Sequence, residues 1–325
     1  MRTNRSTTLG ALLVACAFAF TSVRTASADD YPNRRVTMLV AAAAGGYADA
    51  VARIIGERLS EALGQSFVVE NRGGAGGNIA AKVVASSPAD GYTILVSTTQ
   101  FAINETLYKN AGVKAAEFRP VSIPVSAPET ILANPSYPAK NLRELIDNAK
   151  GGTITFGSAG TGTGSYIQAQ YLFRKLAKVE TVHVPFPGGA PAISALLGNH
   201  VPVIAITVSP AIAQINRGGI RGLAIASPER LPLVKSVPTY AENGYPDYYA
   251  SSWVGFFVPA QTPQPVLDKL NTAIGKALEQ EAVRRRLEPF GVEFIHAPLA
   301  QTATFFDAEV KRWGDMVREL NLSVD

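Results

Sequence analysis

The sequence predicts an α/β protein folded as two bodies, and three observations carry that expectation. Short segments rich in apolar and β-branched residues alternate with glycine turns and helical periodicities along most of the chain, the pattern of mostly parallel sheets covered by helices on both faces. Two extended, proline-punctuated stretches, 119–126 and 248–258, read as crossings between bodies. Finally, 325 residues exceed what one hydrophobic core usually supports.

The N-terminus has its own logic. Arg2 and Arg5 precede an apolar stretch from Leu9 to Phe20, followed by Ala26-Ser27-Ala28. A basic start, a short apolar run and an A-x-A site make an export signal, too short to anchor in a bilayer, with cleavage expected after Ala28. Leu13-Val14-Ala15-Cys16 offers a rival reading, lipid attachment at Cys16, although the apolar run continues past it. Cys16 is the only cysteine, so the exported chain would have none; zinc–thiolate sites, thiol catalysis and iron–sulfur clusters are excluded. Loss of Arg2, Arg5 and Arg24 lowers the formal charge from +4 to +1. The one dense basic run, Arg284-Arg285-Arg286, lies between Glu281 and Glu288 on a helical pattern. That is a solvated face and not a nucleic-acid patch.

Past the signal, the apolar run Val36 to Val40 leads into Gly45-Gly46-Tyr47-Ala48-Asp49 and an amphipathic helix. A strand, a glycine turn and a helix start bring unpaired N–H groups to one point, which attracts anions. Asp49 orders this turn or a bridging water, or simply caps the helix; like-charge repulsion keeps it off a ligand carboxylate. The strand 67–70 feeds the glycine-rich 73–77 and a helix through Ser86, and Pro88-Ala89-Asp90-Gly91 turns the chain into a strand at 92–97. At that strand's end stand Ser97, Thr98 and Thr99, either ligand contacts or a capping cluster.

Further strands are expected at 129–133, 153–156, 181–184, 201–206 and 221–226, with helices around Leu142, Ile167, Ile193 and Ile212. The segment from Gly157 to Ser165 is the strongest site signal. Ser158, Thr163 and Ser165 interleave with glycines, Gly164 among them, at a helix start, aiming neutral donors at one spot. Its spacing is not G-x-G-x-x-G. His183-Val184-Pro185-Phe186 with Gly188-Gly189 is a rigid turn, with Phe186 as apolar contact or scaffold. Thr207, after the strand 201–206, completes the candidate set. The C-terminal part is helical from Thr262-Pro263, has a strand at 292–295, and ends in a helix around Phe305, Val310, Trp313 and Leu320.

Catalytic motifs are missing. Phe156 stands where a G-x-S-x-G elbow at Ser158 would need glycine, there is no phosphate loop, and His183, His200 and His296 lack metal-ligand spacing. No cofactor, catalytic residue or metal is expected.

In order, these segments resemble one family. They include Tyr31-Pro32, Gly45-Gly46-x-x-Asp49-x-x-Ala52-Arg53, Glu70-Asn71-Arg72, Pro88-Ala89-Asp90-Gly91-Tyr92-Thr93, Ala102-x-Asn104-x-x-Leu107-Tyr108, Gly157-Ser158-Ala159-Gly160-x-Gly162, His183-Val184-Pro185-Phe186 and 223–227. Across essentially the whole exported chain it resembles the Bug or TctC-type periplasmic receptors of tripartite tricarboxylate transporters. The resemblance implies a type II periplasmic-binding-protein fold, two α/β lobes joined by a strand hinge with the ligand cleft between them. The lobes are expected at 29–125 with 250–325, and at 126–249. It further implies capture of a small organic carboxylate by closure of the lobes, delivery to membrane subunits of the permease, and action as a monomer in the periplasm. Carried over, Gly45, Gly46, Tyr47 and Asp49 with 97–99 bind one end of the ligand, and Ser158 with 163–165 the other.

Several positions depart from the family pattern: Ala41 to Ala44, Phe101, Tyr166, Pro202 and Ile206 replace more polar or differently shaped groups near the expected cleft. A ligand with more apolar body than citrate or an acidic amino acid follows as an expectation. Two other readings stay open, a periplasmic sensor feeding a two-component system and an exported α/β enzyme.

Overall fold

The computed structural model describes residues 30–248 and 250–324; the expected export signal, its expected cleavage after Ala28 and the rival reading of lipid attachment at Cys16 lie outside them. The chain begins with β1 (Val36–Val40), turns through Gly45-Gly46 into α1 (Tyr47–Leu63), and continues through β2 (Phe67–Asn71), α2 (Asn78–Ala85), β3 (Thr93–Thr98) and α3 (Gln100–Leu107). A long strand, β4 (Phe118–Ala133), then leads to α4 (Leu142–Asn148), β5 (Thr153–Ser158), α5 (Gly164–Gln170), β6 (Glu180–Pro185), α6 (Gly189–Leu197), β7 (Val203–Thr207), α7 (Ile212–Asn216) and β8 (Arg221–Ile225). The chain returns along β9 (Ser251–Pro259) and ends with α8 (Gln264–Glu279), α9 (Glu281–Leu287), β10 (Glu293–Phe294) and α10 (Leu299–Glu319).

Two sheets share one strand. β1 pairs in parallel with β2 and β3, and β3 runs antiparallel to β9. β9 pairs with the first part of β4, from Phe118↔Pro259 to Pro128↔Ser251. From Glu129 onward β4 changes partners, joining β7 at Glu129↔Thr207 and β8 at Thr130↔Ile225. β5 lies in parallel between β6 and β7. The expected mostly parallel sheets hold within each half. Among the described residues every antiparallel pairing involves β4 or β9, because a strand that crosses one way must be matched by one that crosses back. The proline-punctuated 119–126 is therefore ladder, its prolines spread along a strand interrupted by register shifts between Pro120 and Val125.

Strand alternation distributes the core. On β1, Val36, Met38 and Val40 pack with Val51, Ile55 and Leu59 of α1 and with α8, whereas Leu39 faces α2, α3 and α10, as a two-residue side-chain period requires. The second sheet repeats this: Ile204, Ile206 and Ile225 face α6, while Val203, Ala205 and Phe156 face α4 and α5. The α10 side is one continuous core through both sheets, joined around Trp253, Phe257, Phe306 and Trp313. On the opposite side the core is divided into two clusters. The continuous side ties the halves together, and the divided side leaves room between them.

Candidate functional site

A cavity of about 330 Å³ occupies that division, at the small end of the range for ligand pockets. Ala42, Tyr47 and Phe290 belong to or pack on the first half's cluster, and Ala159 and Ile206 to the second's. The halves also touch beside the cavity, where the Ser209 hydroxyl donates to the Phe290 carbonyl.

Helix starts supply its polar face. Gly45, in the left-handed region at φ +79°, turns the chain into α1, whose N-cap is Gly46. No side chain caps α1 there, nor α6 at Gly188. The first residues of both helices, Tyr47 and Ala48 on one side and Gly189 and Ala190 on the other, line the cavity. Two helix starts with unclaimed amides thus meet across one space, each carrying a partial positive charge. α5 differs: Thr163 caps it, its hydroxyl accepting from the Tyr166 N–H at 3.3 Å and donating to the Gly160 carbonyl at 2.8 Å. The hydroxyls of Thr98, Ser165, Thr207 and Ser252 add neutral groups, and none of the described lining residues is Lys, Arg or His.

Of the residues singled out from sequence, Gly45, Gly46, Tyr47, Thr98, Thr163, Gly164, Ser165 and Thr207 line this one cavity. The remaining candidates stand behind it. Asp49, 4% exposed, accepts from the Gly45 N–H at 2.9 Å and pairs with Arg53 through Nε at 3.1 Å. Burial alone would raise its pKa, but Arg53, the Gly45 N–H and Asn71 outweigh burial and hold the carboxylate below its usual range. Its hydrogen bonds order the turn; it does not cap the N-terminal amides of α1. Ser97 is buried, and Thr99 Oγ1 accepts from the Trp253 N–H at 3.0 Å, tying the start of α3 to β9. Ser158 Oγ lies 2.8 Å from His183 Nε2, and burial depresses the His183 pKa to about 4, leaving a neutral ring. Phe186 packs over Gly157, where an added Cβ would meet its ring at 2.7 Å.

Two expectations about polarity are corrected. Phe101 is in the core against Phe118, Phe257 and Phe306, and Tyr166 packs tilted against the His183 ring with centroids 4.2 Å apart; neither lines the cavity. Only Ile206, and Ala42 from the 41–44 stretch, put apolar surface there among the departing positions. Helix phase explains this, since Phe101 and Tyr166 project from α3 and α5 toward the continuous core.

The residue that sequence reading missed is Glu129. It stands where β4 changes sheets, is 1% exposed, and lines the cavity with Oε2 unpartnered. Burial pushes its carboxyl up to about 8. The signal was available: the one charged residue in the otherwise uncharged, mostly apolar stretch from Ile123 to Ala133. Phe290, Ser209 and Pro210 were also missed, because they come from short 3-10 turns with no motif.

The family described as the tripartite tricarboxylate transporter family receptor, TctC, matches residues 51–322. The chain belongs to that family. Protein BugT of Bordetella pertussis is 34% identical over 298 residues, covering 90% of this chain and 91% of that one. An R. palustris protein solved with adipate superposes with a TM-score of 0.83 at 32% identity, covering 90% of this chain and 99% of that one. MatC from Rhodopseudomonas palustris, solved with bound malate, gives 0.80 at 33% identity, covering 88% and 100%. The fold is therefore that of type II periplasmic-binding proteins, and the chain is a solute-binding receptor and not an enzyme. Among the described residues no helix is long and apolar enough to cross a membrane, and no group of three His, Cys, Asp or Glu side chains is placed to hold a metal ion.

Proposed function

We propose that this receptor captures a small organic carboxylate in the periplasm and delivers it to the membrane subunits of a tripartite tricarboxylate-type permease. The observation that carries this reading is the pair of uncapped helix starts, α1 and α6, facing one cavity from opposite halves. Such amides favour an anion without a basic side chain. The relatives holding adipate and malate support the same ligand class. Gly46, Tyr47 and Thr98 would contact one end of the acid, and 163–165 with Thr207 the other. Asp49, Ser97, Thr99 and Ser158 act from behind by holding turns in place. Ala42, Ile206, Pro210 and Phe290 favour a ligand with an apolar body.

The working lobes in this reading are 29–125 with 250–325, and 126–249. The change of partners between Pro128 and Glu129 supports a hinge at that point. Closure would follow from the ligand's preference for the closed form. A micromolar affinity corresponds to about −8 kcal/mol, within reach of several charge-assisted hydrogen bonds and some apolar burial.

Thermal melts with adipate, malate, citrate, aspartate, hexanoate and benzoate test this. The expected result is a raised Tm with acids of apolar body and a smaller rise with citrate or aspartate. No rise with any acid would overturn the carboxylate reading. Tight binding confined to citrate or aspartate would overturn only the preference for an apolar body. Uptake into vesicles carrying the cognate membrane subunits, dependent on added receptor, tests delivery.

A further inference from the structure

We propose that Glu129 takes part in capture as a neutral acid, donating a hydrogen bond to a carboxylate oxygen of the solute, so that one proton is held in the occupied site. The inference rests on the carboxylate reading and specifies how one end of that ligand is recognised.

Geometry places the group. The Glu129 backbone is fixed on both sides, its N–H donating to the Ala250 carbonyl at 3.0 Å and its carbonyl accepting from the Ala226 N–H at 2.8 Å. The side chain is buried yet lines the cavity, and Oε2 has no hydrogen-bond partner. Oε1 is held near α5, 3.2 Å from where a Cβ on Gly164 would stand.

Among the described residues its surroundings offer no counter-charge. α5 and β7 present Gly164 and Thr207, and β9 presents Ser252. The titratable groups coupled to it are tyrosines: Tyr47 from α1, and Tyr240 and Tyr248 from the chain leading into β9. Burial raises all three above their ordinary value, so they remain protonated through neutral and mildly basic pH. Behind α5, Trp313 of α10 lies near Gly164. The Glu309 carboxylate next to it is occupied by Arg312 and by the indole N–H groups of Trp253 and Trp313.

An ionised Glu129 would be an uncompensated buried charge, and burial accordingly holds the carboxyl protonated up to about pH 8. A neutral carboxyl in an anion-favouring cavity has a proton to give and no protein acceptor on Oε2. A ligand carboxylate is the matching acceptor, because O–H···O⁻ bonds are short and strong. The same anion beside an ionised Glu129 would be repelled. Linkage then requires the ligand to raise the Glu129 pKa further, and deprotonation to weaken binding by the same factor. An ammonium ligand would demand the ionised form between two helix starts that disfavour cations.

The test is calorimetric titration of the purified protein with adipate and with malate from pH 6.5 to 9.5, a range over which both acids stay fully ionised. The expected result is a constant Kd up to about pH 7.5 and a roughly 30-fold weakening by pH 9.5, the limit for one proton with a free-state pKa near 8. Repeating the titration near pH 8.5 in buffers of different ionisation enthalpy should show net uptake of most of one proton per ligand. Glu129→Gln, verified as folded by its melting temperature, should bind about 3- to 10-fold more weakly at pH 7 and lose the basic limb. A Kd that stays flat in wild type, or tightens with rising pH, overturns the role of Glu129 while leaving carboxylate capture standing. Failure of these and every other acid tried to bind overturns the carboxylate reading, and this inference with it.

Discussion

Glu129 and Gly164 meet at the cavity wall: Glu129 Oε1 lies 3.2 Å from the point a Cβ on residue 164 would occupy, with Trp313 at 3.6 Å and Thr99 at 3.7 Å behind it. A glycine therefore sits at the first position of α5 for reasons of space, not of backbone conformation. Gly164→Ala would gain helix propensity while crowding the carboxyl and narrowing the cavity. The expected outcome is an affinity loss of about tenfold with a melting temperature within a few degrees of wild type, read by calorimetry and thermal melts.

Thr163 and Ser165 lie 3.0 Å apart through their hydroxyls but carry different duties. Thr163 caps α5, so Thr163→Ala should cost about 1 kcal/mol of stability as well as affinity. Ser165→Ala removes a cavity-lining hydroxyl and its contact with Thr163 but leaves the cap in place, and should weaken binding about tenfold with a smaller loss of stability than Thr163→Ala. Chemical denaturation beside ligand titration separates the two.

The raised pKa of Glu129 has a stability consequence in the ligand-free protein. Unfolded, the carboxyl ionises near 4.5, while folded it keeps its proton to about 8. The unfolded state then binds fewer protons between those values, so stability is fully present below pH 4.5 and lost as pH rises to about 8. The loss approaches 1.4 kcal/mol per pH unit at its steepest. Glu129→Gln lacks this slope. Its stability relative to wild type should therefore increase by a few kcal/mol between pH 5 and pH 8 in urea denaturation.

His183 works in the opposite direction. Its pKa is depressed by burial from 6.5 to about 4, so its contribution is present above 6.5 and lost as pH falls toward 4. His183→Gln, which keeps a partner for the Ser158 hydroxyl, should flatten the acid limb of stability across that window. An unchanged acid limb in the variant would show that another group causes it.

Gly291 joins the two halves next to the cavity. It has φ +66°, and an added Cβ would approach Leu231 at 2.9 Å and Val208 at 3.1 Å. Gly291→Ala should strain the backbone and push the 290–291 loop away from the second half. The prediction is weaker ligand binding with a larger radius of gyration by solution scattering in the presence of adipate.

How far the site was legible depended on what kind of group each part used. Gly45-Gly46 and the 157–165 segment were readable because amides at a helix start and interleaved hydroxyls are local features. Sequence places Glu129 only within a strand, since its role comes from burial and from the lack of a cation nearby among the described residues, and neither is a property of neighbouring residues. Phe101 and Tyr166 turn toward the core and not into the cavity, because a motif position does not specify which face of a helix a side chain leaves from.

By itself the sequence determined the alternation of strands and helices, the α/β class and the family, because these follow from periodicity, turn chemistry and the order of short motifs. Tertiary structure alone decided that β4 changes sheets at Glu129, that the core is continuous on the α10 side and divided on the other, and that the helix starts of α1 and α6 face one space. Those facts depend on contacts between residues far apart in the chain, whose free energies no local pattern encodes.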